Sequence, residues 1–159
     1  MNAASLDLSR QGHRLLQIGV ALLLLLSVEG FAIPHLAAPN LGVSAHKLAA
    51  LQSVLALALG LVWPKLNLGV TTSRIAFWLF IYAAFAILAA FVMGAIWGAG
   101  NETMPLAAGT AHGSAFQETV IRVAAYSSAP TGLISFALIS WGLRIVEHVT
   151  PEKTKTTNH

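Results

Sequence analysis

Charged residues are almost absent from four long stretches of the chain. The stretches at 48–64, 75–101 and 123–143 contain none, and the stretch at 15–33 contains only Glu29. About 20 predominantly apolar residues suffice for a helix to cross a bilayer, and a run near 17 is the lower limit. The pattern therefore predicts an all-α integral membrane protein with a bundle of four transmembrane helices.

Polar positions between these stretches predict where the helices begin and end. The second stretch is the shortest, so we expect its helix to begin earlier, with Ser44 as the N-cap residue. Trp63 and Pro64 predict its end, as an interfacial aromatic residue followed by a helix breaker. The chain then divides into a cytoplasmic tail at 1–14, a four-helix transmembrane domain at 15–144 and a cytoplasmic tail at 145–159.

Basic residues are distributed unequally among the connections. Seven lie on the side of both termini, and only two lie on the opposite side. By the positive-inside rule both termini are cytoplasmic, in a multi-pass protein of the inner membrane. A cleaved signal peptide is the alternative for the first stretch, but that stretch is too long and contains Glu29. The seven are Arg10, Arg14, Lys65, Arg74, Arg144, Lys153 and Lys155, and the two are Lys47 and Arg122.

Composition supports a lipid environment and narrows the possible chemistry. Hydrophobic residues make up 56% of the 159, and charged residues make up 9%, against about 25% in a soluble domain. The absence of cysteine excludes disulfides, thiolate metal sites and a cysteine nucleophile. The net charge of +3 comes from scattered basic residues, so we expect the lipid bilayer as a partner and no nucleic acid.

Most polar side chains capable of chemistry fall on the side opposite the termini. The connection at 98–116 belongs to that side and is too long and too uncharged for a simple exposed linker, so it predicts a re-entrant or capping loop. We therefore expect a functional site in that half of the membrane. The polar residues are Glu29, His35, Asn40, His46, Asn101, Glu102, His112, Gln117, Glu118 and Arg122. Headgroup contact alone accounts for His35, Asn40, Asn101 and Glu102.

Three of these residues are charges that could lie within the membrane. Glu29 is either a functional carboxylate or a structural hydrogen-bonding group. Glu118 and Arg122 have the i, i+4 spacing of a helical ion pair, which is the first interpretation. The alternative interpretation makes Glu118 a buried general base or acid.

His46 stands alone in the first turn of the predicted second helix. A lone histidine there either hydrogen-bonds between helices or ligates a metal. The sequence contains no HExxH, no CxxCH and no histidine pair at i, i+3 or i, i+4, so we do not expect a site with several protein ligands. A metal that carries its own equatorial ligands, as in haem, needs only one axial histidine.

Five segments of the chain carry the residues of a known family in the same order. They are QGHRLLQIGV at 11–20, GVSAHKLA at 42–49, LGLVWPKL at 59–66, WGAGNETMPLAAGTAHGSAFQE at 97–118 and WGLR at 141–144. Together they resemble the hydroxylaminobenzene mutase family, and MPLAAG followed by Gln117 and Glu118 is the most specific part. The resemblance implies a small membrane isomerase that converts an arylhydroxylamine into an ortho-aminophenol.

That family is in turn similar to styrene oxide isomerase, a trimeric four-helix membrane isomerase that holds ferric haem b through one histidine. The histidine aligns with His46, so the resemblance implies haem b on His46 and a homotrimer. Two positions depart from the expected pattern. The asparagine expected six residues after the histidine is Gln52, and the asparagine expected in the third helix is absent from the apolar run after Tyr82.

The implied reaction moves a hydroxyl group from nitrogen to carbon without net redox change, and its hard step is cleavage of the N–O bond. The resemblance implies that haem on His46 acts as a Lewis acid. Gln52 or Tyr82 would hold a small apolar aromatic substrate, and Glu118 would accept the ring proton. A membrane location suits a substrate that partitions into lipid.

Other functions remain open at this point. One is a non-catalytic membrane module that binds haem or a small molecule, and another is an epoxide isomerase like styrene oxide isomerase. A transporter fragment is the weakest alternative, because the chain shows no paired inverted halves. We expect a homo-oligomer because so small a bundle encloses little volume and because the GxxxG motif at 94–98 favours close helix packing.

Overall fold

The structure is a computed structural model that describes residues 3–144. Within that range every regular element is a helix, and no strand is present. Two short 3-10 helices and one four-residue α-helix lie between the long ones. In chain order the elements are α1 (Ala3–Glu29), a 3-10 turn (Ile33–His35), α2 (Pro39–Val62), a 3-10 turn (Trp63–Lys65), α3 (Val70–Trp97), α4 (Pro105–Ala108) and α5 (Ala115–Gly142).

Four of these helices are long and apolar enough to cross a membrane, namely α1, α2, α3 and α5. The shortest, α2, has 24 residues and is therefore about 36 Å long, against about 30 Å for the hydrocarbon core of a bilayer. Large apolar side chains such as Leu24, Leu51 and Leu133 point outward, as expected where lipid is the solvent. The prediction of an all-α, four-span membrane protein is confirmed.

Neighbouring helices in the chain pack side by side. α1 packs mainly against α2, α2 also packs against α3, and α3 packs against α5. We call the end where α1 begins and α5 ends the terminal end, and the opposite end the loop end. The backbones of α1 and α2 touch, because a Cβ added at Gly12 would lie 2.7 Å from the carbonyl oxygen of Gly60. Small residues permit such contacts where no water drives helices together.

The first helix extends further than the sequence pattern predicted. α1 begins at Ala3, so most of the predicted tail at 1–14 continues the helix. Leu8 explains the extension, because it is buried in the same apolar cluster as Leu15 and Phe77. The tail predicted at 145–159, with Lys153 and Lys155, lies outside the described residues.

One of the two predicted boundaries of α2 was wrong and the other is confirmed. Ser44 is not its N-cap, because α2 starts at Pro39, and proline has the backbone angle that a first helical position requires. The Ser44 hydroxyl instead donates to the carbonyl oxygen of Asn40 at 2.9 Å. α2 does end at Val62, directly before Trp63 and Pro64 as predicted, and Trp63 is fully buried within the protein. Its Nε1 donates to Oε1 of Gln11 at 2.8 Å.

The GxxxG motif at 94–98 shapes the loop end of α3. A Cβ added at Gly94 would lie 3.1 Å from Cδ1 of Leu41, so this glycine allows α2 to approach α3, as the motif predicted for helix packing. Gly98 has φ of 63° and ends α3 in the left-handed conformation, which glycine adopts most easily. The motif thus both packs α3 and terminates it.

Candidate functional site

A cleft of about 460 Å³ opens between α2, α3 and α5. Its lining residues come from the middle of each helix, so the cleft lies near mid-depth in the membrane. The walls are mainly apolar, and small residues on α3 and α5 leave the space. The larger lining side chains are Leu48, Leu51, Leu55, Phe80, Ile87 and Phe136, and the small ones include Ala83, Ala84, Ala129 and Gly132.

Gln52 lines the cleft and has an unpaired hydrogen-bond acceptor. Its Nε2 donates to the carbonyl oxygen of Ala84 at 2.9 Å, which fixes the amide orientation, since a carbonyl can only accept. Its Oε1 is buried and has no hydrogen-bond partner. A buried acceptor without a partner costs about 1–3 kcal/mol. An unpaired acceptor on a residue that lines an apolar cleft makes Gln52 a candidate for binding a ligand donor.

Ser128 is the other polar side chain on the cleft wall. Its hydroxyl already donates to the carbonyl oxygen of Ala125 at 2.6 Å. Nearby, Pro130 lies inside α5, where it cannot donate to a helical hydrogen bond. The Thr131 hydroxyl donates to the carbonyl oxygen of Ser127 at 2.9 Å. The Ser128 and Thr131 hydroxyls thus already donate to carbonyl oxygens of α5, whereas Oε1 of Gln52 has no hydrogen-bond partner.

Tyr82 does not line this cleft. The lining positions of α3, which are 80, 83, 84 and 87, share one helix face, and Tyr82 points to another. Its hydroxyl lies 2.8 Å from Oγ of Ser127, so it joins α3 to α5 outside the cleft. The side chain is 49% exposed. The structure therefore separates Tyr82 from Gln52, the other predicted substrate contact.

Glu118 is buried at the loop end and holds the loop at 98–114. Its Oε1 accepts hydrogen bonds from the backbone N–H of Gly100 at 2.8 Å and of Gly113 at 3.1 Å. Its Oε2 is buried without a partner, and the residue is only 2% exposed. These contacts satisfy backbone groups that lipid could not satisfy. The carboxylate therefore connects both ends of the loop to α5.

The predicted ion pair between Glu118 and Arg122 is wrong. Arg122 instead pairs with Glu102 of the loop, for which headgroup contact alone had been expected. The i, i+4 spacing is correct for a helical pair. The Glu118 carboxylate, however, accepts hydrogen bonds from the backbone N–H groups of Gly100 and Gly113 instead of pairing with Arg122. Both partners of the actual pair are about half exposed, and such pairs contribute little to stability.

The connection between α3 and α5 covers the loop end of the bundle, as a capping loop would. Its short helix α4 buries Ala108 in a cluster with Ala38, Leu41 and Ala95. A capping box at Ser114 starts α5: the Ser114 hydroxyl accepts from the N–H of Gln117, and the Gln117 side chain accepts from the N–H of Ser114. The loop is thus fixed at both of its ends.

His46 lies in the second turn of α2 and faces the end of α1. Its Nδ1 is 3.9 Å from Oε2 of Glu29, and this nitrogen is buried without a hydrogen-bond partner. The two side chains are 38% and 23% exposed, respectively. Glu29 is therefore a neighbour of His46, a relation that no sequence spacing indicates.

The predicted site residues do not share one cavity within this chain. Gln52 lies in the cleft at mid-depth, whereas Glu118 and His46 lie at the loop end on different helices. His46 and Gln52 are six residues apart, which places them about 120° apart around the axis of α2. No group of three or more metal-ligating side chains occurs in the described part of the chain. Sequence reasoning missed the cleft, whose only signal was the small residues on α3 and α5.

The fold and cleft define a four-span α-helical membrane protein with a largely apolar cleft between three of its helices, open on the lipid-facing side. Residues 11–144 match the styrene oxide isomerase family, and the chain belongs to that family. Over 132 residues it is 43% identical to hydroxylaminobenzene mutase HabB of Ectopseudomonas oleovorans, which covers 83% of this chain and 80% of HabB. Over 112 residues it is 33% identical to HabA of the same organism, covering 70% and 83% of the two chains. No solved structure matches.

These relationships confirm the family resemblance seen in the sequence. The family and both relatives are named as isomerases or mutases, so the protein is a membrane isomerase. It crosses the membrane several times.

Replacing Glu118 tests its contacts with the loop. Glu118→Ala leaves the N–H groups of Gly100 and Gly113 without their acceptor, so unfolding in detergent should become easier by about 1–3 kcal/mol. Hydrogen exchange at these two amides should also accelerate. Glu102→Ala, which removes the exposed partner of Arg122, should change stability by less than about 1 kcal/mol. Equal effects of the two substitutions would contradict the assignment.

Proposed function

We propose that the protein rearranges an arylhydroxylamine into an ortho-aminophenol, as the names of its two mutase relatives suggest. The observation that carries the proposal is the unpaired Oε1 of Gln52 in an apolar cleft. An arylhydroxylamine has an aromatic ring for the apolar walls and N–H and O–H donors for this oxygen. A small apolar aromatic substrate would also enter directly from the lipid.

Epoxide isomerisation is the second candidate, favoured by the name of the family. An epoxide has an oxygen acceptor but no donor. One N–H of the Gln52 amide donates to Ala84 and the other could donate to an epoxide oxygen, but an epoxide would still leave Oε1 unpaired. The cleft therefore favours a hydroxylamine over an epoxide.

The proposed reaction balances without a second substrate. The N–O bond breaks, an oxygen becomes bonded to the ortho carbon, and the ortho carbon loses a proton while the nitrogen gains one. Reactant and product are isomers, so no reductant or oxidant is consumed. In this reaction Gln52 orients the hydroxylamine group, and the apolar walls hold the ring and exclude water, which would otherwise attack the electron-poor ring.

Glu118 is the predicted acceptor of the ring proton, and its contacts support a second role. Its Oε1 is committed to two loop amides, and the cleft at mid-depth contains no carboxylate among its lining residues. We therefore infer that Glu118 holds the loop. Proton transfer to its free Oε2 would require a substrate bound at the loop end. Glu118→Gln keeps an oxygen that accepts from the loop amides, but the amide cannot take up a proton. Turnover should therefore persist if Glu118 only holds the loop, and should fall if Glu118 accepts the ring proton.

We further propose haem b as a cofactor, with His46 as its axial ligand. A single imidazole suits a metal that brings four equatorial ligands of its own. A carboxylate 3.9 Å from Nδ1 suits a metal-bound histidine, whose other ring nitrogen commonly donates to such a group. When bound, ferric haem would supply a Lewis acid for cleavage of the N–O bond. Glu29 and the N-terminal part of α2 would orient the imidazole.

A site built from His46 and Gln52 would require more than one chain. The two residues point in different directions from α2, and His46 does not line the cleft. A homo-oligomer, a trimer by the family resemblance, would allow the cofactor of one copy to meet the cleft of a neighbour.

We also infer that the protein lies in the inner membrane with both termini on the cytoplasmic side. Arg10, Arg14, Lys65, Arg74 and Arg144 lie at the terminal end, as the positive-inside rule requires for that orientation.

Single cysteines test this orientation without background, because the natural chain contains none. In intact cells a membrane-impermeant thiol reagent should label Thr110→Cys at the loop end and leave Ser9→Cys at the terminal end unlabelled. After the cells are lysed, both should react. The reverse pattern in intact cells would overturn the orientation.

Substitution of Gln52 tests the substrate contact. Gln52→Leu removes the acceptor, and the loss of about 1–3 kcal/mol of binding to the reacting group should lower kcat/KM for phenylhydroxylamine about 5- to 160-fold. Ser128→Ala, on the α5 wall of the same cleft, should leave kcat/KM nearly unchanged because the Ser128 hydroxyl is already engaged. Full activity of folded Gln52→Leu would argue against this contact.

Absorption spectroscopy of the purified protein tests the cofactor. Wild type and His35→Ala should both show a Soret band, whereas His46→Ala should lose the band and turnover together. Wild-type protein that turns over substrate without a Soret band would rule out haem.

A further inference from the structure

A second, polar cavity lies at the terminal end between α1 and α3. Its volume is about 360 Å³, and four charged side chains line it, those of Asp7, Arg10, Arg14 and Arg74. It is far from the cleft and from the loop end, because its residues lie in the N-terminal halves of α1 and α3. The proposed isomerase reaction makes no use of it.

A chain of hydrogen bonds fixes one wall of this cavity. Buried Trp63 donates to Gln11 at 2.8 Å, and Gln11 donates to Oδ2 of Asp7 at 3.4 Å. Arg74 donates to both carboxylate oxygens of Asp7, through Nε at 2.9 Å and Nη2 at 3.4 Å. Asp7 therefore neutralises Arg74, and both side chains are held in place.

Arg10 and Arg14 are close enough to Asp7 for electrostatic attraction, but the Asp7 carboxylate is hydrogen-bonded to Arg74 instead. They lie one helical turn apart on α1, and neither forms an ion pair or side-chain hydrogen bond with any residue that the structure describes. With three arginines and one aspartate on its walls, the cavity has a net positive charge. Guanidinium groups bind phosphate through paired N–H donors.

The depth of the cavity matches that of lipid headgroups. Arg14 and Arg74 are the last charged residues before the apolar stretches that begin at Leu15 and Ile75. Trp78 lies one turn further along α3, lines the same cavity and is 62% exposed. Exposed tryptophan is typical of the interface between headgroups and hydrocarbon. A ligand here would have its charge at the cavity and its apolar part in the membrane.

We propose that this cavity binds the phosphate of an anionic phospholipid, of which phosphatidylglycerol is the test case. Arg10 and Arg14 contact the phosphate, and Asp7 keeps Arg74 in position beside them. Phosphatidylcholine carries the same phosphate, but its cationic choline is repelled by the excess positive charge. The site therefore selects lipids of net negative charge.

Lipid titration monitored by native mass spectrometry of the full chain tests the proposal. A basic residue near an anionic headgroup contributes about fivefold in affinity. Wild type should therefore bind phosphatidylglycerol about thirty-fold more tightly than phosphatidylcholine, given the two arginines Arg10 and Arg14. The variant with Arg10→Gln and Arg14→Gln should lose most of this preference. Equal wild-type affinity for the two lipids would overturn the proposal, whether or not the variant folds.

A matched control distinguishes the cavity from general surface charge. Lys65→Gln combined with Arg144→Gln also removes two positive charges from the terminal end, but neither residue lines the cavity. This variant should keep the wild-type preference, and an equal loss in both double variants would overturn the site.

Inorganic phosphate is the alternative ligand for these arginines, and it is tested as a competitor of the lipid. At matched ionic strength it should not displace phosphatidylglycerol. Displacement by millimolar phosphate would identify a soluble anion as the ligand and overturn the assignment to a lipid.

Discussion

Inside a bilayer no water is available for backbone or side-chain polar groups, and this constraint governs the whole structure. It explains why the described chain is almost entirely helical, and why the loop at 98–114 is fastened to the bundle by a buried carboxylate. It also makes unpaired polar atoms informative. Four buried side-chain atoms lack a partner in the described chain, on His46, Gln52, Thr103 and Glu118, and three of these residues were candidates from sequence alone.

The four spans could be predicted because lipid excludes charge, and the gaps between charges are visible in the sequence. Element boundaries depended on local details instead. Pro39 starts α2 earlier than the serine that was expected to cap it, and burial of Leu8 extends α1 toward the N-terminus. Tryptophan is common at the membrane interface, but Trp63 can be buried because its indole N–H donates to Gln11.

The candidate site was less predictable because it depends on contacts between helices. The i, i+4 rule assigned Glu118 to Arg122 and could not anticipate two loop amides competing for the same oxygen. Glu29 and His46 lie 17 positions apart in sequence and meet only because α1 ends beside α2. The cleft requires small residues on two helices at matching depth, a relation that no single segment contains. Gln52 was a candidate from the sequence, and only the structure shows that its Oε1 is unpaired.

Different parts of one small bundle have different proposed tasks. We propose that the apolar cleft receives the substrate at mid-depth, and that the arginines at the terminal end bind lipid headgroups. Because His46 and Gln52 point in different directions from α2, we also propose that neighbouring copies complete the reaction site.

Product analysis of the purified wild-type protein with phenylhydroxylamine tests the proposed mutase activity. We expect one molecule of 2-aminophenol for each molecule of substrate consumed, with no added reductant or oxidant. Folded, haem-loaded protein that yields no 2-aminophenol would contradict it and would favour a non-catalytic binding module.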